Sequence, residues 1–250
     1  MIDFANHQGF VFMEIRDPEA NLTLGECKEL ADYARLKSVE IVYALNSGVM
    51  APRYFEVIAR GIANTLVFDG PKIIRSGNNG PEFVNDEKKL YWTAEEFAVL
   101  VKNINQAGNM SKNLGVTLAV ENAQEGLRGD GVKTFGTAEL FGVQGVNANV
   151  DLQLDTGNFF CVSRVENHPN DVKEFFEQNV KRIAYTHFKS SIGGQTQAII
   201  SGNDLSLGTF LESLSEKSKV YVMIELLAAE TLEEVYENHS KSITYLTSNY

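Results

Sequence analysis

The chain has little cysteine, little positive charge and no long apolar run, and each shortage removes a class of function. Two cysteines, Cys27 and Cys161, in 250 residues are too few for a disulfide framework, and without a CxxC pair they offer neither a zinc site nor a redox centre. Both are expected to be free thiols, buried or half-buried. Basic residues number 22 against 33 acidic ones, for a net charge of −11, and no basic run is longer than two. Nucleic-acid backbones and anionic membranes are held by basic patches, so neither nucleic acid nor membrane is expected as a partner. No apolar stretch approaches the roughly 18 residues of a membrane span, and the opening MIDFANHQGF lacks the basic and apolar segments of a secretion signal. A cytoplasmic protein is the expectation.

Hydrophobic residues, at 44% of the chain, are enough to bury one large core, and a single domain over residues 1–250 is expected. Seven short β-rich runs recur along the chain: FVFMEI (10–15), VEIVYAL (39–45), KIIRSG (72–77), VTLAVE (116–121), VDLQLD (150–155), IAYTHF (183–188) and VYVMIEL (220–226). Several are nearly continuous in apolar residues, as strands covered on both faces are. Between them lie helical segments, and the alternation predicts a parallel sheet built from βα units.

Three helix starts carry a Thr followed three residues later by Glu: Thr23 and Glu26, Thr93 and Glu96, Thr231 and Glu234. Each is a capping box, in which the hydroxyl and carboxylate take up backbone N–H groups that the first turn leaves unsatisfied. An apolar stripe follows Thr93 through Phe97, Leu100, Val101 and Ile104. Another follows Thr231 through Leu232, Val235, Tyr236, His239, Ile243 and Leu246. His239 on that stripe reads as a satisfied core or rim histidine. The segment MIDFANHQGF reads as the end of a helix entering the first strand.

The chemistry gathers at the carboxyl ends of the last four strands. LAVEN ends in Glu121, LQLDTGN in Asp155, YTHFK in His187 and VMIEL in Glu225, with separations of 34, 32 and 38 residues, each about one βα unit. Side chains at the same end of neighbouring parallel strands converge. Singly, each has a plain alternative, because acidic residues are common where a strand leaves a sheet beside a helix N-terminus. Together, three carboxylates and one imidazole form a ligand set suited to one divalent ion, Mn²⁺, Mg²⁺, Co²⁺ or Zn²⁺. Without a cation, three crowded carboxylates repel. Beyond the set, Arg75 reads either as a solvated strand-end charge or as an anion or hydroxyl contact. Lys189 reads as a contact of the same kind, and Asn122 as a turn residue or a group that orients Glu121 or a substrate hydroxyl.

In this order and spacing the four motifs resemble those of the xylose isomerase-like TIM-barrel superfamily, in particular its sugar phosphate isomerase/epimerase group. The resemblance runs from GFVFMEI, similar to that family's second strand, to VYVMIEL, similar to its eighth. It implies an α/β TIM (β/α) barrel with seven visible strands and a first βα unit that is missing or atypical. It also implies that Glu121, Asp155, His187 and Glu225 hold the metal. Glu121 and Glu225 would in addition move the proton next to a carbonyl of a small-molecule carbohydrate, through a metal-stabilised enediolate. Two positions depart from the epimerase pattern. Asn158 stands where some epimerases carry a histidine, and Gly193 where they carry an arginine. An amide such as Asn158 can hydrogen-bond a sugar hydroxyl but cannot shuttle a proton.

Alternatives within the fold are a dehydratase of a cyclic keto acid and a non-catalytic barrel that binds sugar or metal. An AP endonuclease would need a basic groove and more histidines than His7, His168, His187 and His239. A missing strand would leave an apolar seam, to be covered by a partner chain, such as a second copy in a homo-oligomer, or by further residues.

Overall fold

Each apolar run bounded by turn residues forms a strand, and from α1 to β6 helices alternate with the strands of the main sheet as anticipated. In chain order they are α1 (Ile2–His7), β1 (Phe12–Arg16), α2 (Leu24–Leu36), β2 (Glu40–Ala44), α3 (Tyr54–Thr65), β3 (Ile73–Ser76), β4 (Phe83–Val84), β5 (Glu87–Lys88), α4 (Ala94–Asn113), β6 (Thr117–Glu121), β7 (Val150–Asp155), β8 (Ile183–Phe188), β9 (Ser191–Ile192), β10 (Gln195–Thr196), β11 (Tyr221–Ile224) and α5 (Leu232–Asn249). This computed structural model describes residues 1–46, 48–77, 83–84, 87–88, 94–122, 140–141, 145–156, 178–192, 195–200, 221–226 and 229–249. The backbone forms two compact units, Met1–Gln153 and Leu154–Tyr250.

In the first unit β1, β2, β3, β6 and the start of β7 lie side by side in chain order, every pair parallel. Parallel neighbours in strict sequence are a singly wound sheet, the arrangement of (β/α) barrels. Val42, Ala44, Ile74, Leu118, Val120 and Leu152 are fully buried, which explains why these strands read as continuous apolar runs. Helices pack closely against them. A Cβ on Gly61 of α3 would lie 2.6 Å from Ile74 Cδ1, and one on Gly108 of α4 would lie 2.5 Å from Val150 Cγ2 and 3.2 Å from the Asn149 carbonyl oxygen. Glycine is what lets both helices sit so near the sheet. The helix anticipated at the front is α1, ending at His7 ahead of β1.

The capping box of α2 is present: Glu26 N–H donates to Thr23 Oγ1 at 3.2 Å, and Thr23 N–H donates to the Glu26 carboxylate at 2.8 Å. Cys27 behind it is a buried free thiol. Burial, and after it the Asp17 and Glu26 carboxylates, pushes this thiol up to about 11. Cys161, His168, Asn158, Gly193 and the capping box at Thr93 lie outside the described residues.

In the second unit β8 and β11 form a parallel ladder that pairs His187 with Met223 and Phe188 with Ile224. In the sheet order β8 follows β7, and β11 follows β8. The terminal strands of that order, β1 and β11, are less covered than those between, and Val222 is 40% exposed. The capping box of α5 is present at Thr231 and Glu234. Its stripe is half-buried except at Leu232, which at the first helical position is 64% exposed. His239 Nδ1 lies 2.7 Å from the Val235 carbonyl oxygen of its own helix, as a satisfied rim histidine should. Among the described residues no helix is long and apolar enough to cross a membrane.

Candidate metal centre

Strand register decides which side chains meet. Paired residues of parallel neighbours point to the same face, and so do residues two apart on one strand. Met223 is opposite His187, so Glu225, two residues on, shares the His187 face. The ladder extends that far, since the Glu225 N–H donates to the Phe188 carbonyl oxygen at 3.1 Å. Lys189, two residues past His187, shares that face as well.

The side chains converge accordingly. Asp155, His187 and Glu225 each offer a ligand atom, and these atoms lie within 4.8 Å of one another. His187 Nδ1 is 2.8 Å from Glu225 Oε2 and 3.8 Å from Asp155 Oδ2. Lys189 Nζ bridges the two carboxylates, 2.8 Å from Asp155 Oδ2 and 2.9 Å from Glu225 Oε2. The Asp155 and His187 side chains are fully buried, Glu225 is 18% exposed and Lys189 14%. Burial alone would lower the pKa of the Lys189 ammonium, but Asp155 and Glu225 outweigh it and hold it above the ordinary lysine value. The Tyr185 ring packs edge-on against His187, with ring centres 5.6 Å apart.

Thr156, directly after Asp155, fixes the backbone of Lys189 from both sides. Its hydroxyl donates to the Lys189 carbonyl oxygen and accepts from the Lys189 N–H, each at 2.9 Å. The sequence reading missed this residue, although its adjacency to Asp155 in DTGN was the available signal.

A second polar group occupies the first unit. Arg75 is buried, which overturns its reading as a solvated strand-end charge. Its guanidinium is paired with Glu121 through Nη1 and lies 3.5 Å from Glu14 Oε2 through Nε. Glu14 also pairs with Arg16 at 2.8 Å. The desolvation that makes a lone buried guanidinium unfavourable is thus offset on two sides. Glu14 too was missed, and a lone carboxylate inside the apolar run FVFMEI was its signal.

Asn122 is buried, and its N–H donates to the Gln153 carbonyl oxygen at 3.3 Å, carrying the β6–β7 ladder one residue past Glu121. Glu121 itself is opposite Gln153. Gln153 is fully buried, and neither amide atom has a hydrogen-bond partner among the described residues.

The fold has counterparts among solved structures. No protein-family profile and no curated protein matches the chain. A xylose isomerase-like TIM-barrel protein from Mycobacterium smegmatis, in complex with magnesium, matches 99% of this chain and 87% of its own, with a TM-score of 0.67 and 16% identity. The fold is the xylose isomerase-like TIM barrel. A sugar phosphate isomerase/epimerase from Parabacteroides distasonis shares this barrel with a TM-score of 0.72 and 14% identity, over 99% of this chain and 87% of its own. So does an AP endonuclease of family 2 from Brucella melitensis, at 0.64 and 12%, over 98% and 92%. At such identities the barrel is what is shared, and one barrel serves several chemistries.

The residues fit a divalent ion. Two carboxylate oxygens already converge on a single cationic nitrogen, and an imidazole nitrogen stands beside them. Carboxylates and imidazole together accommodate magnesium, manganese or zinc.

Proposed function

We propose that the chain is a divalent-metal-dependent isomerase or epimerase of a small carbohydrate, acting by proton transfer next to a carbonyl. The observation that carries this reading is the convergence of Asp155, His187 and Glu225 within 4.8 Å. Glu121 is assigned as the fourth ligand from strand register. It ends β6 opposite Gln153, and Asp155 ends β7 two residues later, so both carboxylates leave the same end of neighbouring strands. Sugar phosphate isomerase/epimerases and ketose 3-epimerases among the solved structures of this fold support the substrate class.

Bound there, the metal would polarise the substrate's carbonyl oxygen and lower the cost of the negative charge that develops on it. Glu225 and Glu121 would do the proton work, one carboxylate taking a proton from the carbon beside the carbonyl and the other returning one. Arg75 orients the Glu121 carboxylate, and His187, with Nδ1 2.8 Å from Glu225 Oε2, orients that of Glu225. Asp155, fully buried, serves as a ligand only. Asn122 and Asn158 are assigned to substrate hydroxyls. Arg75 has both of its carboxylate partners in place and is assigned to the support of Glu121 more than to substrate.

A panel of keto-sugars, free and phosphorylated, incubated with Mn²⁺ tests the reading. Turnover that is removed by chelation and by Glu225→Gln is expected. If Glu225→Gln and the natural chain bind Mn²⁺ equally and both are inert on every sugar, the isomerase assignment fails.

A further inference from the structure

Lys189 stands out because its ammonium is bound to the same two oxygens that a metal would use. Its Nζ is 2.8 Å from Asp155 Oδ2 and 2.9 Å from Glu225 Oε2. A metal bound by these carboxylates would lie at about 2.0–2.3 Å from the same atoms. One carboxylate oxygen can serve an ammonium and a metal together only if the two cations approach each other. Within a few ångströms, in a site where Asp155 is fully buried, their repulsion is large.

Charge counting points the same way. Asp155 and Glu225 carry two negative charges, which a divalent ion neutralises alone. Lys189 retained beside that ion would leave the group with an excess positive charge. Glu121 does not change this balance, because Arg75 is already paired with it. The backbone of Lys189 cannot retreat, being held on both its N–H and its carbonyl by Thr156. Only the flexible four-carbon side chain can move.

We propose that Lys189 is an internal counter-ion that competes with the divalent metal for Asp155 and Glu225, so that metal uptake expels its ammonium from between them. The ammonium that keeps the two carboxylates from repelling one another thereby also weakens the metal site. This inference rests on the metal reading of the same site.

Mn²⁺ titration calorimetry on the full chain tests it. Lys189→Gln is expected to bind Mn²⁺ at least about tenfold more tightly than the natural chain. Lys189→Arg, which keeps the charge, should stay near the natural affinity. A second measurement needs no variant: acetylation of Lys189, read by mass spectrometry against the other lysines, should increase severalfold when Mn²⁺ is added. Equal or weaker binding by a folded Lys189→Gln, or acetylation unchanged at saturating Mn²⁺, overturns the competition while leaving the metal reading intact. If neither the natural chain nor Lys189→Gln takes up Mn²⁺, the metal reading itself falls, and this inference with it.

Discussion

At the scale of single residues, polar groups buried just past the ends of two strands are held by specific partners. Thr156 is the clearest case, since one hydroxyl satisfies both backbone groups of Lys189. Thr156→Val should lower unfolding stability by about 1–3 kcal/mol, as stranded buried polar groups do, while Thr156→Ser keeps most of it; urea titration checks both. Asp17 is a second case. It accepts from the Asn21 N–H at 2.9 Å, the Leu22 N–H at 2.7 Å and the Tyr43 hydroxyl. Burial pushes its pKa up, but these hydrogen bonds outweigh burial and hold it below the ordinary value of 3.8. A carboxyl depressed in the folded state stabilises fully above its unfolded value and loses that contribution as pH falls through the folded one. The stability gap between the natural chain and Asp17→Asn should therefore be largest near neutrality and shrink below about pH 4. A gap that holds constant down to pH 2 would contradict this. The four ligand candidates could be picked out in sequence because each lies at a strand end or within one residue of it, whereas the partners of Thr156 and Glu14 could not. What a hydroxyl or a lone carboxylate bonds to depends on a residue 33 or 61 positions away, as Lys189 and Arg75 are.

At the scale of elements, the apolar runs locate all seven strands of the main sheet, and capping locates the starts of α2 and α5. VDLQLD and IAYTHF form strands with the anticipated bounds, Val150–Asp155 and Ile183–Phe188, because their ends are set by a turn and by a change of apolar pattern. The stripe of α4 is buried at Phe97, Leu100 and Ile104. What a stripe does not reveal is how closely a helix approaches the sheet, and glycine decides that. Gly108→Ala would gain about 1 kcal/mol of helix propensity. It would also press a methyl group against Val150 and the Asn149 backbone, at 2.5 and 3.2 Å. Backbone cannot give way as a side chain can, so overpacking, about 1–3 kcal/mol, should win and thermal unfolding should move down. Gly25→Ala in α2, whose nearest contact would be Thr23 Oγ1 at 3.8 Å, should instead leave stability unchanged or raise it by up to about 1 kcal/mol. Equal shifts for the two variants would show that the close approach of α4 does not matter.

At the scale of the whole molecule, seven strands in chain order reproduce the xylose isomerase-like barrel at 12–16% identity to solved examples. The shared property is the βα repeat that brings strand ends together, which hydrophobic pattern alone can specify. Reaction and substrate depend on the individual side chains such a barrel carries, which pattern does not specify. The central claim is that Glu121, Asp155, His187 and Glu225 serve one metal ion. The most direct measurement is a crystal structure of the protein soaked in Mn²⁺. One ion within about 2.0–2.3 Å of all four side chains, with the Lys189 ammonium moved away from Asp155 and Glu225, is the predicted result. Manganese bound elsewhere, or Lys189 still bridging the two carboxylates at saturating Mn²⁺, would contradict the account.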